Sequence, residues 1–203
     1  MSLYPFCKVV LRPLTSLLYA ARVSGVENVP MTGPLIVAAN HRSYLDPPLL
    51  GAWFPRTIHY MAKKELFTIP VLGWILRNVH SFPVNRTIAD PSAIKHALKT
   101  LRAGECVGIF PEGTRNIDGA ATARRGAVLI AATAKCPIVP VALVNTESAF
   151  RRFRAAPVEV NIGAPMTFQG TERKATKAEL DQWTLDLASA IERLMPGQEH
   201  GNT

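Results

Sequence analysis

The chain predicts a single α/β domain with a sheet flanked by helices. Three observations carry that expectation. Its 203 residues are enough to bury one core without disulfide or metal staples. Short apolar runs alternate with longer amphipathic ones from Val23 onward. Neither an internal repeat nor a low-complexity segment breaks that alternation.

The first 22 residues read as a separate N-terminal amphipathic helical segment. Within it Lys8, Arg12, Thr15 or Ser16, Tyr19 and Arg22 fall on one helical stripe, and Phe6, Val9, Val10, Leu14, Leu17 and Leu18 cover the rest. Such a helix suits a membrane interface with its basic stripe toward anionic lipid; packing its apolar side on the domain is the ordinary alternative. Pro13 is expected to kink it or to start a second short helix.

Residues 23–195 form the domain proper, with strands expected at 35–40, 57–62, 79–83, 106–111, 138–144 and 158–162. Helices are expected at 46–53, 70–78, 90–102, 123–135 and 176–195. Asp46-Pro47-Pro48 reads as a helix start with Asp46 as N-cap. The last helix carries a capping box, Thr176 with Glu179, and an apolar stripe through Leu180, Trp183, Leu187, Ile191 and Leu194. Residues 168–175 read as linker and 196–203 as a disordered tail.

Hydrophobic residues make up 48% of the chain and charged ones 19%, below the roughly 25% charged of an average soluble domain. Some apolar surface therefore has a use outside the core, and a membrane is the obvious one. A net charge of +8 favours an anionic partner, whether nucleic acid, phospholipid head groups or a phosphorylated substrate. Cys7, Cys106 and Cys136 are an odd, widely spaced set, which argues against a disulfide framework or zinc site and fits a reducing compartment. No run of about 18 uncharged apolar residues occurs, so neither a spanning helix nor a secretory signal is expected.

Chemistry concentrates in two places. Asn40-His41-Arg42-Ser43-Tyr44-Leu45-Asp46 sets an imidazole and a carboxylate in His-x4-Asp spacing across a strand-to-helix turn. A neutral histidine whose tautomer is fixed by a carboxylate can take a proton from a hydroxyl near neutral pH. No Gly-x-Ser-x-Gly elbow is present, so that hydroxyl is a substrate's rather than the protein's own; a structural hydrogen bond at the turn is the alternative. Farther on, Phe110-Pro111-Glu112-Gly113-Thr114-Arg115 follows an apolar strand with a glycine turn, a hydroxyl and a guanidinium, the groups a phosphate needs. A Glu112–Arg115 pair within the turn is the bland reading. Between them Arg86 is placed to reach the same sheet edge. Lys63 and Lys64 read equally as a solvated or lipid-facing edge, and Arg124 and Arg125 as surface or phosphate-facing charges. Arg151, Arg152 and Arg154, interleaved with Phe150 and Phe153, suit a membrane or the acidic surface of an acyl carrier protein. His59, His80, His96 and His200 are scattered and read as structural or surface groups; no metal site is expected.

Asn40-His41 with Asp46, then Arg86, then the 110–115 run about 65 residues after Asp46, then Ile138-Val139-Pro140-Val141, resemble the four sequence blocks of the glycerolipid acyltransferases. Within that family the chain is most similar to the 1-acylglycerol-3-phosphate, or lysophosphatidate, acyltransferases, over residues 23–165. The resemblance implies a mixed sheet with a catalytic pair at one end, near an N-terminal membrane-docking element. It implies His41 as general base, Asp46 as its partner, and Arg86, Glu112, Gly113, Thr114 and Arg115 as acceptor-binding residues. Pro140 matches the block on the acyl-donor side, and Asn116 departs from the serine many relatives carry. The partners implied are a lysophospholipid acceptor, an acyl-CoA or acyl carrier protein donor, and an anionic membrane surface on whose cytoplasmic face the protein sits. No cofactor and no nucleic acid are implied. Another acceptor, such as glycerol-3-phosphate, and a non-catalytic membrane-binding role are the alternatives.

Overall fold

The computed structural model describes residues 2–85, 90–111, 125–149, 156–167 and 175–196. In chain order the elements are α1 (Tyr4–Tyr19), β1 (Arg22–Ser24), β2 (Leu35–Ala39), α2 (Asp46–Trp53), β3 (Ile58–Lys63), α3 (Pro70–Asn78), β4 (Phe82–Val84), α4 (Pro91–Arg102), β5 (Cys106–Ile109), α5 (Gly126–Ala134), β6 (Ile138–Val144), β7 (Glu159–Ile162) and α6 (Lys177–Arg193). The first four helices each carry a proline in their opening positions, where its missing N–H would have had no intrahelical partner. The Thr176–Glu179 capping box opens α6 as expected, and Trp183, Leu187 and Ile191 are buried.

The sheet is mixed, with strand order β1-β7-β6-β2-β5-β3-β4. Every pairing is parallel except β6 with β7. β2 lies between β5 and β6 and is buried at every position. Its side chains alternate across the sheet: Leu35, Val37 and Ala39 join the core with α2's Leu49 and Leu50, whereas Ile36 and Ala38 join the core made with α4, α5 and α6. On β5 the same alternation sends Cys106 and Phe110 to the α2 side and Val107 and Ile109 to the other. His41 and Phe110 thus leave adjacent strand ends on one face. The chain also passes from β5 to β6 across β2, and a reversal of strand order of this kind opens a crevice at the carboxyl ends of a parallel sheet.

Three expectations are corrected. The N-terminal helix runs unbroken through Pro13 to Tyr19, and Arg22 belongs to β1, a three-residue strand the pattern did not reveal. The basic stripe of α1 faces the protein instead of lipid. Lys8 Nζ donates to the carbonyls of Phe54 (2.6 Å), Pro55 (3.3 Å) and Arg56 (3.4 Å), and Arg12 Nε to that of Ala52 (2.7 Å). These carbonyls lie at the end of α2, where a helix leaves acceptors unsatisfied and favours positive charge. Tyr4 Oη donates to Gly51 O and accepts from Ile58 N, and Trp53 Nε1 donates to Thr15 Oγ1, completing a polar seam along α1. The apolar side is turned outward, with Phe6 66%, Val9 73% and Leu17 66% exposed. The expected strand at 79–83 begins instead at Phe82, because Val79 closes α3 and His80 takes a left-handed φ of 61°. Among the described residues no helix is long and apolar enough to cross a membrane.

Gly108 on β5 is required by close packing. A Cβ there would lie 2.6 Å from Ile58 Cγ2 and 2.8 Å from the Tyr60 ring. Gly108→Ala is expected to destabilise the fold by about 1–3 kcal/mol through overpacking, read as a lower urea midpoint with an unchanged m-value.

Candidate active site

Beyond Ala39 the chain leaves the centre of the sheet without losing its grip on it. Asn40 Nδ2 donates to Leu143 O (2.9 Å) and Asn40 Oδ1 accepts from Leu143 N (2.7 Å), so an amide side chain extends the β2–β6 ladder by one step. The turn that follows is built around Asp46, whose carboxylate is fully buried. Its Oδ2 accepts from Arg42 N (2.7 Å), from Ser43 N (2.7 Å) and from His41 Nδ1 (2.8 Å).

Asp46 does not act as the expected N-cap. Leu45 occupies that position with no side-chain cap bond. Pro47 and Pro48 offer no N–H to cap, so the carboxylate is free to turn back on the residues before it. With two backbone donors already on Oδ2, the third contact is Nδ1–H donating to a carboxylate. That assigns the histidine tautomer and leaves Nε2, with its lone pair, as the nitrogen able to take a proton.

The ring is held from one side by Phe110, at a centroid distance of 4.3 Å and an interplanar angle of 26°. Tyr60 backs Phe110 at 6.2 Å and 10°, in the space that Gly108 leaves open. Only about a tenth of the His41 side chain is exposed, and the ring face lies on apolar carbon. The Cys106 thiol lies in the same core, and burial pushes its pKa up to about 11. It is a protonated packing group at neutral pH, not an activated nucleophile.

Of the residues expected at the site, the structure brings His41 and Asp46 together. Arg86, Glu112, Gly113, Thr114 and Arg115 lie outside the described residues, as do Arg124 and the 150–154 cluster. The described residues that lead to them lie at the carboxyl ends of β5 and β4, and of these Phe110 touches His41. β5 pairs with β2 and carries Phe110 and Pro111 at its end. β4 ends at Val84, paired with Lys63 on the same edge of the sheet. Asp90 pins the far side: its carboxylate accepts from Asn85 N (2.8 Å), Ser92 N (3.0 Å) and Ala93 N (3.2 Å), capping α4 and closing the chain on either side of residues 86–89. The hydrogen bond from Asn85, with those from Ser92 and Ala93, holds the Asp90 carboxyl at about 2.

Other charged groups have structural uses. Arg125 pairs with Asp181 on α6, and Lys63 lies 3.8 Å from Glu65. Pro140 is buried within β6, where its carbonyl accepts from Gly163 N. The His59 and His80 rings lie 5.0 Å apart, tilted by 37°, and burial lowers the pKa of His59. His80 Nε2 also bonds Ser2 Oγ at 2.8 Å. Sequence reasoning did not single out the Asn40 clamp or the Phe110 wall. The period-two alternation of β2 and β5 was the available signal, since it sends Phe110 to the face that His41 continues.

Replacing Asp46 by Asn keeps the shape but removes the charge that fixes the imidazole. The expected outcome is a folded protein with a rate lower by about 10²- to 10⁴-fold, checked by initial rates and circular dichroism. For Asp90, an NMR titration is expected to place the carboxyl near 2 against 3.8 for the free side chain. Since its pKa is depressed on folding, its stabilising contribution is present above about pH 4 and fades as the pH falls through about 2.

A family model described as Acyltransferase matches residues 20–144. The 1-acyl-sn-glycerol-3-phosphate acyltransferase of Bacillus subtilis (strain 168) is 37% identical over 95% of this chain and 96% of its own length. The enzyme of the same name from Streptococcus pneumoniae is 32% identical over 74% of this chain, and the match spans 60% of that relative. Among solved structures, the 1-acyl-sn-glycerophosphate (LPA) acyltransferase PlsC from Thermotoga maritima superposes with a TM-score of 0.76 at 26% identity, covering 94% of this chain and 78% of that one.

Proposed function

The chain belongs to the acyltransferase family, and we propose that it moves a fatty acyl group from an acyl thioester to the sn-2 hydroxyl of 1-acyl-glycerol-3-phosphate, giving phosphatidate and a free thiol. The observation that carries the mechanism is the commitment of His41 Nδ1 to Asp46, which leaves Nε2 for the substrate.

His41 Nε2 takes the proton of the sn-2 hydroxyl as the oxygen attacks the thioester carbonyl. Asp46 stabilises the imidazolium that forms and keeps the ring oriented. The tetrahedral intermediate then collapses, the C–S bond breaks, and the thiolate receives the proton from Nε2. No acyl-enzyme is needed, because the nucleophile is the acceptor itself. Arg86 and Arg115, with backbone donors from Glu112, Gly113 and Thr114, are assigned to the acceptor phosphate, whose dianion calls for more than one cation. The donor is an acyl-CoA or an acyl carrier protein.

The acceptor and product are lipids, and α1 is read as the element that brings the protein to them. Its outward stripe of Phe6, Val9, Val10, Leu14 and Leu17 enters the lipid interface while Lys8 and Arg12 stay on the protein. The attachment is peripheral or monotopic, on the cytoplasmic face where three free cysteines are at home.

Transfer assays on purified protein, with lysophosphatidate, glycerol-3-phosphate and a second lyso-lipid as acceptors and matched acyl-CoA and acyl carrier protein donors, test the reading. Lysophosphatidate is expected to be the preferred acceptor; preference for another would replace the assignment. His41→Ala is expected to stay folded and lose about 10²- to 10⁴-fold in rate. Near-normal transfer by that variant would remove His41 from the chemistry. Arg115→Ala is expected to raise the acceptor concentration needed for saturation with donor saturation unchanged; the reverse pattern would move the phosphate site elsewhere.

A further inference from the structure

A second helix presents an apolar stripe to the outside. On α3, Val71 is 72% exposed, Trp74 56% and Ile75 37%, preceded by Ile69 at 48%. Spacings of three and four put Val71, Trp74 and Ile75 on one helical face. The opposite side is closed: at Gly73 an added Cβ would lie 2.4 Å from Phe67 O, and Arg77 donates to the same carbonyl at 3.0 Å with its guanidinium 5.9 Å from the Phe67 ring. The helix is therefore held in place with its apolar face out, and that face does not arise from a loose segment.

α3 is also joined to α1. Leu3 N donates to Asn78 O (3.0 Å), Ser2 Oγ bonds His80 Nε2 (2.8 Å), and the Tyr4 and His80 rings lie 6.2 Å apart. The start of one exposed helix is thus tied to the end of the other.

We infer that α3 is a second lipid-contacting helix, and that Val71, Trp74 and Ile75 enter the same bilayer surface as the outward stripe of α1. The inference rests on the reading of α1 given above. Lipid is the occupant that the surroundings fit. Lys63 and Lys64, beside Glu65, are exposed just ahead of α3 in the chain, and Arg77 is exposed in its last turn, so cations suited to anionic head groups lie at both ends of the helix. Tryptophan is the side chain that settles at a membrane–water boundary. The acceptor and product carry acyl chains that hold them in such a surface. One helix lying in an interface leaves the domain free to roll about the helix axis. A second, tied to the start of the first through Asn78 and His80, removes that freedom and sets how the sheet edge bearing His41 meets the lipid.

Among the three tryptophans, Trp74 is exposed, Trp53 is partly buried and Trp183 is buried. The full chain is mixed with phosphatidylglycerol/phosphatidylcholine vesicles whose acyl chains are plain or brominated. Tryptophan emission is expected to be quenched by the brominated lipid, and the quenching to be lost in Trp74→Phe, which still floats with the vesicles. A protein that floats with vesicles but shows no quenching, or the same quenching in Trp74→Phe, overturns the α3 contact while leaving α1 docking intact. Failure to float at all overturns both. The double variant Val71→Glu/Ile75→Glu is expected to bind vesicles at least 10-fold more weakly and to lose transfer to vesicle-embedded acceptor, while retaining transfer to a short-chain, water-soluble lysophosphatidate. Unchanged vesicle binding with weakened use of acyl carrier protein would instead make this face a protein-docking surface and sink the proposal.

Discussion

One carboxylate oxygen organises the centre of this molecule. Asp46 Oδ2 accepts from the backbone of Arg42 and Ser43 and from the His41 ring, all within 2.7–2.8 Å. The same atom shapes the turn after the central strand and fixes which nitrogen of the imidazole carries the proton. Because the carboxylate is buried, its attraction for those donors is weakly screened. Structure and chemistry therefore draw on the same carboxylate oxygen: its backbone bonds shape the turn, and its bond to Nδ1 orients the base.

The sheet supplies the rest of the site by registry. β2 is buried on both faces between two parallel neighbours, and Asn40 carries its ladder one residue past the last strand position. Alternation on β2 and β5 brings His41 and Phe110 out on the α2 side, where Tyr60 and the opening at Gly108 complete an apolar backing. α2 is itself held from its far end by Lys8 and Arg12 of α1. The helix that leaves its apolar stripe in the open is thus bonded to the helix that begins with Asp46. Surface attachment and the catalytic turn are consecutive layers of one packed unit.

Much of this was legible in the chain. The helix start at Asp46-Pro47-Pro48, the Thr176–Glu179 box and the apolar runs of β2, β5 and β6 act over a few residues, and each appeared close to its expected place. β1 was not legible because three residues carry too little pattern; it exists by pairing with β7. The late start of β4 turned on the left-handed backbone of His80, a conformation that histidine does not advertise. The N-cap expectation for Asp46 weighed its own preference and overlooked that the two prolines after it have no N–H to offer.

By itself the sequence determined the α/β pattern, the His-x4-Asp spacing at a strand-to-helix turn and the order of the blocks that mark the family. These rest on local backbone preferences and on short periodicities, which neighbouring residues settle among themselves. Only the tertiary structure decided which face of α1 meets the protein, that Phe110 walls the imidazole, and that Asn40 clasps Leu143. Each of those depends on partners far away along the chain. An amphipathic stripe states that two faces differ; the unsatisfied carbonyls at the end of α2 chose between them.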